Sequence, residues 1–406
     1  MISRLEIANF YSIREPQVID LCIAAKVTDD PERFAPLWRD AKERAVKVIA
    51  LFGANASGKS TVLRALAFLS WFVQNSFHLL PDAPQPYERF NDEEASNQPT
   101  RLAVHFAGPA DLTKANDPDT PQCRYAYEIV FGSSEGKTPR HVVREALRYW
   151  PVVTGRPVRL FERAKDGSIV AGKPFGLAGY RSAIEKILRP NASVISTLAQ
   201  LDHPISLLAR QTAATIYSNV FIEKIEFDDD RVIRYYADNP PLLEALNREI
   251  ERIDLGIRAM EIYNGPNGPF ALFQHQGLAQ PVPIQLESHG TRTFIRVFPL
   301  LVAALEIGGI AVINELDLSI HPLVLLEIVR WFYDPERNPH NAQLWMTCQN
   351  VSLLDELVKE EIFFCEKDSR GRTTVYGLRD IQAVRRDDNY YRKYLGGVYG
   401  AVPLIG

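Results

Sequence analysis

The sequence predicts an α/β protein: a P-loop nucleotide-binding core that carries an antiparallel β lobe and a helical insertion. Three observations point there. An apolar, β-branched run at residues 46–52 leads directly into Gly53-Ala54-Asn55-Ala56-Ser57-Gly58-Lys59-Ser60, which fits G-x-x-x-x-G-K-[ST] at every fixed position and sits between a strand and a helix. Residues 101–162 contain four strand-like runs separated by Gly, Pro, Asn and Asp clusters, the pattern of antiparallel sheet. From residue 180 to about 262 the apolar residues fall largely at helical spacings, with a second set of strand-then-helix patterns after them.

The whole chain narrows the class further. Its 406 residues, 46% of them hydrophobic, are enough for a large core and more than one subdomain. A formal net charge of −4 gives no overall field that would draw the protein to nucleic acid, so any such contact has to be a local patch. Cys22, Cys123, Cys348 and Cys365 are scattered with no C-x-x-C pair, which argues for a reducing compartment and against structural zinc or a disulfide framework. The first residues carry charge and lack a secretory core, and no apolar run is long enough to span a bilayer; a cytoplasmic location with no membrane partner is expected.

In chain order, residues 2–21 read as two alternating strands joined by a turn. Residues 26–44, rich in Asp, Pro, Glu and Arg, read as a surface loop that either packs over a nucleotide or is simply solvated. In the phosphate loop, glycines let successive N–H groups turn inward toward an anion. Gly53, Ala54, Asn55, Ala56, Ser57, Gly58, Lys59, Ser60 and Thr61 are the candidate nucleotide contacts. Lys59 would reach the β- and γ-phosphates and Ser60 would hold Mg²⁺, at the positive end of the helix that starts there. That helix, residues 61–72, has no Gly or Pro and is apolar almost throughout, as suits burial on most sides. Residues 80–100 read as a loop. In the β lobe, Arg140, Arg144 and Arg148 could form a basic strip, though solvent-facing strand positions account for them. Residues 221–237 read as a strand, an acidic turn at Asp228-Asp229-Asp230 and another strand; three adjacent carboxylates on a strand cannot all face one metal. Three segments are expected: an amino-terminal half of the core with the β lobe (1–170), a mainly helical insertion (171–265), and a carboxy-terminal half (266–406).

The last segment holds the remaining motifs. Leu286-Glu287-Ser288-His289-Gly290-Thr291-Arg292 leads into an apolar helix over 294–305, ended by Gly308-Gly309. A buried-looking strand at 310–313 delivers Asn314-Glu315-Leu316-Asp317, and Ser319-Ile320-His321-Pro322 opens another helix with proline in its first turn. A strand at 343–346 ends at Thr347-Cys348-Gln349-Asn350. This order resembles the ABC-type ATPase heads of chromosome-maintenance, recombination and phage-defence proteins, in which a serine-glycine signature, a strand ending in Asp-Glu and a strand ending in a switch histidine follow the phosphate loop. The opening RLEIANFYSI, the ELDLSIHP segment and the tail YYRKYLGGVYGAVPLI are similar to the stand-alone bacterial AAA or OLD-like ATPases of anti-phage operons.

The resemblance implies a homodimer or larger assembly that closes on ATP and Mg²⁺. Residues 53–60 of one copy and Ser288 with Gly290 of the other would enclose the nucleotide, Glu315 would polarise the attacking water, and a separate effector such as a nuclease would be controlled. Two positions depart from the family pattern. Asn314 replaces the aspartate of the Mg²⁺ shell without its charge, and Gln349 stands at the switch position, where it can donate a hydrogen bond but not a proton. Slow hydrolysis is expected; Asn314 fits a degenerate sensor or a residue changed to trap a bound state. His321 is read equally as a helix-start residue and a nucleotide contact. The rival reading, a repair or recombination ATPase that clamps DNA itself, rests on Arg385, Arg386, Arg392 and Lys393 among Tyr390, Tyr391 and Tyr394. An intrinsic nuclease has little support: Glu360, Glu361, Glu366 and Asp368 read as surface charge.

Overall fold

The computed structural model describes all residues except 82, 116, 118, 133–140, 152–154, 221–228, 254–255, 319 and 404–406. The chain begins with β1 (Ile2–Ala8), β2 (Gln17–Asp20), β3 (Phe34–Pro36), β4 (Arg44–Val46) and β5 (Val48–Phe52), followed by α1 (Lys59–Asn75). Then come β6 (Thr100–Pro109), β7 (Gln122–Gly132), β8 (His141–Tyr149), β9 (Val158–Arg163) and β10 (Ile169–Ala171). The middle contains α2 (Arg181–Ile187), α3 (Val194–Ala199), α4 (Pro204–Ala214), β11 (Ile216–Ser218), α5 (Asp229–Ala237), α6 (Pro240–Arg252), β12 (Ile257–Gly265), β13 (Gly268–His275) and β14 (Val282–Pro283). The remainder is α7 (His289–Ile307), β15 (Ile310–Ile313), α8 (Pro322–Tyr333), β16 (Gln343–Thr347), β17 (Ile362–Lys367), β18 (Thr373–Gly377) and α9 (Tyr390–Leu395).

A six-stranded sheet in the order β11-β15-β16-β5-β17-β18 organises the molecule. Its first five strands are parallel and β18 closes one edge antiparallel. Every residue of β5 is buried, as expected of a parallel strand covered on both faces. Its side chains serve two cores by strict alternation. Ile49 and Leu51 join Val312 and Trp345 on the face toward α1. Val48, Ala50 and Phe52 join Ile313, Leu344 and Met346 on the face toward α7 and α8.

On the first face, α1 is sandwiched between this sheet and a seven-stranded antiparallel one, ordered β10-β9-β8-β7-β6-β1-β2. The β lobe and the amino-terminal hairpin are thus one sheet. Its arginines are paired: Arg144 bridges Glu128 and Glu162, and Arg148 reaches Glu162 at 3.1 Å. Arg140 lies outside the described residues. The two halves of the chain are fastened at Gln343, whose amide nitrogen donates to Ile2 O and Val46 O, both at 3.0 Å, while its Oε1 accepts from Ile2 N at 2.7 Å.

Several expectations are corrected. Residues 26–44 contain β3, which pairs with β4 where the segment ends, and bury Phe34 and Leu37. Lys47 N donates to Arg33 O, which pins the segment to the start of β5, at the opposite end from the phosphate loop. Residues 229–237 are helical, because Val232, Ile233 and Tyr236 then share a buried face and burial outweighs their β propensity. Asp229 is no solvated turn; it accepts from Arg292 at 2.5 Å and from Arg296 at 2.6 Å. Asp228 and the strand expected before it lie outside the described residues. Residues 257–262, expected to continue the helical pattern, belong to strand β12, which pairs antiparallel with β13. Glu360 and Glu361 are not surface charge: both are buried, and they pair with Arg386 and Arg33 respectively, each at 2.8 Å. Burying a carboxylate is costly without such partners.

Candidate nucleotide site

Because β15, β16, β5 and β17 are parallel neighbours, their carboxyl ends emerge side by side, the edge at which open α/β sheets bind ligands. Residues 314–315, 347–349, 53–60 and 367 are brought together by that topology.

The phosphate loop turns sharply out of β5 into α1. Gly53 has φ 146° and Gly58 φ 104°. A Cβ on Gly53 would stand 2.2 Å from Cys365 O, and one on Gly58 would stand 2.3 Å from Thr373 Oγ1, so both positions require glycine. The loop is braced from outside: Thr373 Oγ1 lies 2.8 Å from both Ser57 O and Ser12 Oγ. Lys59 Nζ folds back to donate to Gly53 O at 2.7 Å and Ala54 O at 2.9 Å. Burial lowers the pKa of its ammonium, and nearby groups including Asp317 and Glu315 oppose that shift. Ala54 N donates to Ala401 O at 3.1 Å, so the carboxy-terminal tail packs on the loop.

Ser60 Oγ donates to Asn314 Oδ1 at 2.7 Å, and Thr347 Oγ1 lies 3.1 Å from the same oxygen. Glu315 N donates to Thr347 Oγ1 at 2.7 Å, and Glu315 itself has a left-handed backbone, φ 56°. Asn219, just beyond β11, grips the Asn314 backbone with Nδ2 on its carbonyl at 3.0 Å and Oδ1 on its N–H at 2.7 Å. The hydroxyl of Ser60 and the amide oxygen of Asn314 are hard oxygen donors of the kind Mg²⁺ takes, and Mg²⁺ in such sites is also held by substrate phosphates. Among the described residues no group of three His, Cys, Asp or Glu is placed to hold a metal without them.

A cavity of about 710 Å³ lies against this arrangement, lined by residues 55–61 together with Glu315, Thr347 and Gln349, within the range of ligand pockets. Gly53 and Ala54 form the inner bend behind it. Gln349 N, like Asn350 N, donates to Asp317 Oδ2.

Ser288 and Gly290 stand elsewhere. Ser288 is exposed and caps α7, accepting from Thr291 N at 3.0 Å, and neither residue lines the cavity of its own chain. His321 caps α8, accepting from Leu323 N at 3.3 Å, and also lies off the cavity. Ser319 is outside the described residues.

Other wall residues were not named as site residues, although Tyr11 and Ser12 lie within the opening RLEIANFYSI. Tyr11 and Ser12 come from the β1–β2 turn, Arg64 from the second turn of α1, and Glu88 to Asn91 from the loop after α1. The loop is held by Asn9, whose Oδ1 accepts from Phe90 N at 3.1 Å and whose Nδ2 donates to Ala95 O at 2.6 Å. Arg64 Cζ sits 5.2 Å from the centre of the Tyr11 ring.

No curated protein matches the sequence. Among solved structures, the SMC head domain from Thermotoga maritima is similar over 93% of this chain and 98% of that one, at 13% identity and a TM-score of 0.39. Residues 48–114 and 146–355, well over half of the chain, match the family described as "AAA domain, putative AbiEii toxin, Type IV TA system", and the chain belongs to that AAA family.

Proposed function

We propose that the protein is an ATP-binding, slowly hydrolysing ABC-type ATPase. Two copies close head to tail on ATP and Mg²⁺, and that closure controls a separate effector, such as a nuclease, in anti-phage defence. The observation that carries the reading is the convergence of the phosphate loop, Ser60, Glu315 and Gln349 on one cavity at the carboxyl edge of the sheet, with Asn314 bonded to Ser60 behind its wall.

Within that cavity the loop amides and the amino end of α1 face the phosphates, and Lys59 exchanges its own loop carbonyls for phosphate oxygens. Ser60 and Asn314 offer oxygens to Mg²⁺, which when bound with ATP neutralises charge on the phosphates. Glu315 orients the attacking water, and Gln349 donates to the γ-phosphate. Ser288, exposed, and Gly290, half-buried, at the start of a 19-residue helix and off their own chain's cavity, supply the second wall from the partner copy. Two phosphate-facing surfaces do not close without the nucleotide, so assembly reports ATP. Asn314 contributes no charge and Gln349 no proton, which makes turnover slow.

The test is the mass in solution. ATP with Mg²⁺ raises the mass of the wild-type protein, and Lys59→Ala abolishes the rise. A mass that ignores nucleotide in both proteins refutes the proposal.

A further inference from the structure

Asparagine at position 314 brings a difficulty that aspartate does not. A carboxylate presents the same oxygen whichever way it turns, whereas a carboxamide turned over would offer two N–H donors to Ser60 and to the cation beside it. Something has to choose the face. Asn219 fixes the backbone of Asn314 but bonds only to its N–H and carbonyl. Among the described contacts, the side-chain oxygen meets Ser60 Oγ at 2.7 Å and Thr347 Oγ1 at 3.1 Å. Ser60 keeps its hydrogen when its oxygen becomes a metal ligand but is re-aimed by the metal, whereas the Thr347 hydroxyl is pinned by Glu315 N, which makes Thr347 the fixed donor.

Thr347 is 1% exposed at the carboxyl end of β16, in the middle of the parallel sheet. Its hydroxyl has one hydrogen. The oxygen accepts from Glu315 N at 2.7 Å, so that hydrogen is free to point at Asn314, and the group it meets there has to be an acceptor. We infer that Thr347 is a positioning residue: one hydroxyl, placed between Glu315 N and Asn314 Oδ1, holds the Asn314 oxygen toward Ser60 and keeps Glu315 in its left-handed conformation at the cavity. This deepens the ATPase reading and rests on it. Gln349, two residues further on, lines the same cavity, so the strand that carries the γ-phosphate contact also sets the metal-side oxygen and the glutamate.

The experiment is ATP binding to the full chain, titrated with and without Mg²⁺, for the wild type, Thr347→Val, Thr347→Ser, Asn314→Asp and the Thr347→Val/Asn314→Asp pair. Thr347→Val is expected to leave Mg²⁺-free affinity within about twofold and to cut the gain brought by Mg²⁺ by about tenfold, the size of one lost hydrogen bond. Thr347→Ser restores the gain. Asn314→Asp restores it in the valine background as well, because a carboxylate cannot face the wrong way. Asn314→Asp also adds charge and so raises the gain in both backgrounds; a structural role alone predicts that Thr347→Val still costs about tenfold in the Asn314→Asp background, whereas the inference predicts that this cost disappears. Should the valine variant not fold, Thr347→Cys, similar in size with a weak donor, is read in its place. A wild-type response to Mg²⁺ in the valine or cysteine variant, or an equal loss from Thr347→Val in the wild-type and Asn314→Asp backgrounds, overturns the inference. A wild-type protein with no affinity for ATP overturns the nucleotide reading instead.

Discussion

Glu361 offers a prediction that is independent of the nucleotide. It is fully buried just before β17, where Oε2 accepts from Arg33 Nη1 at 2.8 Å and from Val358 N at 2.9 Å, and Oε1 accepts from the Tyr333 hydroxyl at 2.8 Å. Arg33 also lies over the Tyr333 ring, 4.5 Å from its centre. Burial pushes the Glu361 carboxyl up from 4.5 to about 7, against the opposing pull of Arg33 and these hydrogen bonds. The folded protein therefore holds this proton more tightly than the unfolded chain does. Stability from this group is complete below about pH 4.5 and falls as pH rises to about 7, where the loss levels off. At about 1.4 kcal/mol for each tenfold change in proton affinity, the decline is about 3 kcal/mol. Glu361→Gln keeps an oxygen for Arg33 and removes the titration. Urea midpoints measured across that pH range are expected to decline less in the variant than in the wild type, with the two curves close together near pH 4.5, where the wild-type carboxyl is protonated, and separating toward neutral pH. Parallel curves would refute the reasoning, since every other titrating group is shared by both proteins.

Three further outcomes follow from the site. Gly58→Ala puts a methyl group against Thr373 at a left-handed position; it should lower the melting temperature through a loss of about 1–3 kcal/mol and weaken ATP binding at least tenfold, as read by calorimetry. Ser288→Asp keeps a good cap on α7 but sets a negative charge where a partner's γ-phosphate would sit. Single-copy ATP affinity should persist while the ATP-driven rise in mass is lost, and an unchanged rise would remove Ser288 from the interface. Asn314→Asp restores charge beside Ser60, and phosphate release should quicken by about tenfold or more; an unchanged rate would locate the slow step elsewhere.

What the sequence made legible was local. The phosphate loop, α1, the apolar body of α7 and the segment 310–317 each announce themselves within twenty residues, through glycines or an unbroken apolar run, whereas the start of α7 at His289, capped by Ser288, lies five residues before the expected one. The β-lobe strands were readable for the same reason, with ends off by a few residues. Helix α5 was misread because Val232, Ile233, Tyr235 and Tyr236 favour strands in isolation, and only the packing of Tyr236 against α7, with its hydroxyl on Ile295 O at 2.9 Å, decides for helix. The buried state of Glu361 could not be read, since its partner Arg33 is 328 residues away. The cavity wall at Glu88 to Asn91 was equally hidden, being set by the side chain of Asn9. Thr347 stood in view at a strand end, but its role depends on β15 lying beside β16.

The placing of β5 has a consequence for how the protein is made. Its two neighbours, β16 and β17, and the Gln343 fastening to Ile2 all come from the final quarter of the chain. While that quarter is still on the ribosome, the run 48–52 has nothing to pair with, and the glycines after it have no sheet edge from which to curl. Translation therefore delivers the triphosphate-gripping sequence early and its working shape last, after a closure spanning nearly the whole polypeptide, which is a slow and aggregation-exposed route. Premature termination after the phosphate loop but before β17 leaves a product that contains the motif without the strands that shape it.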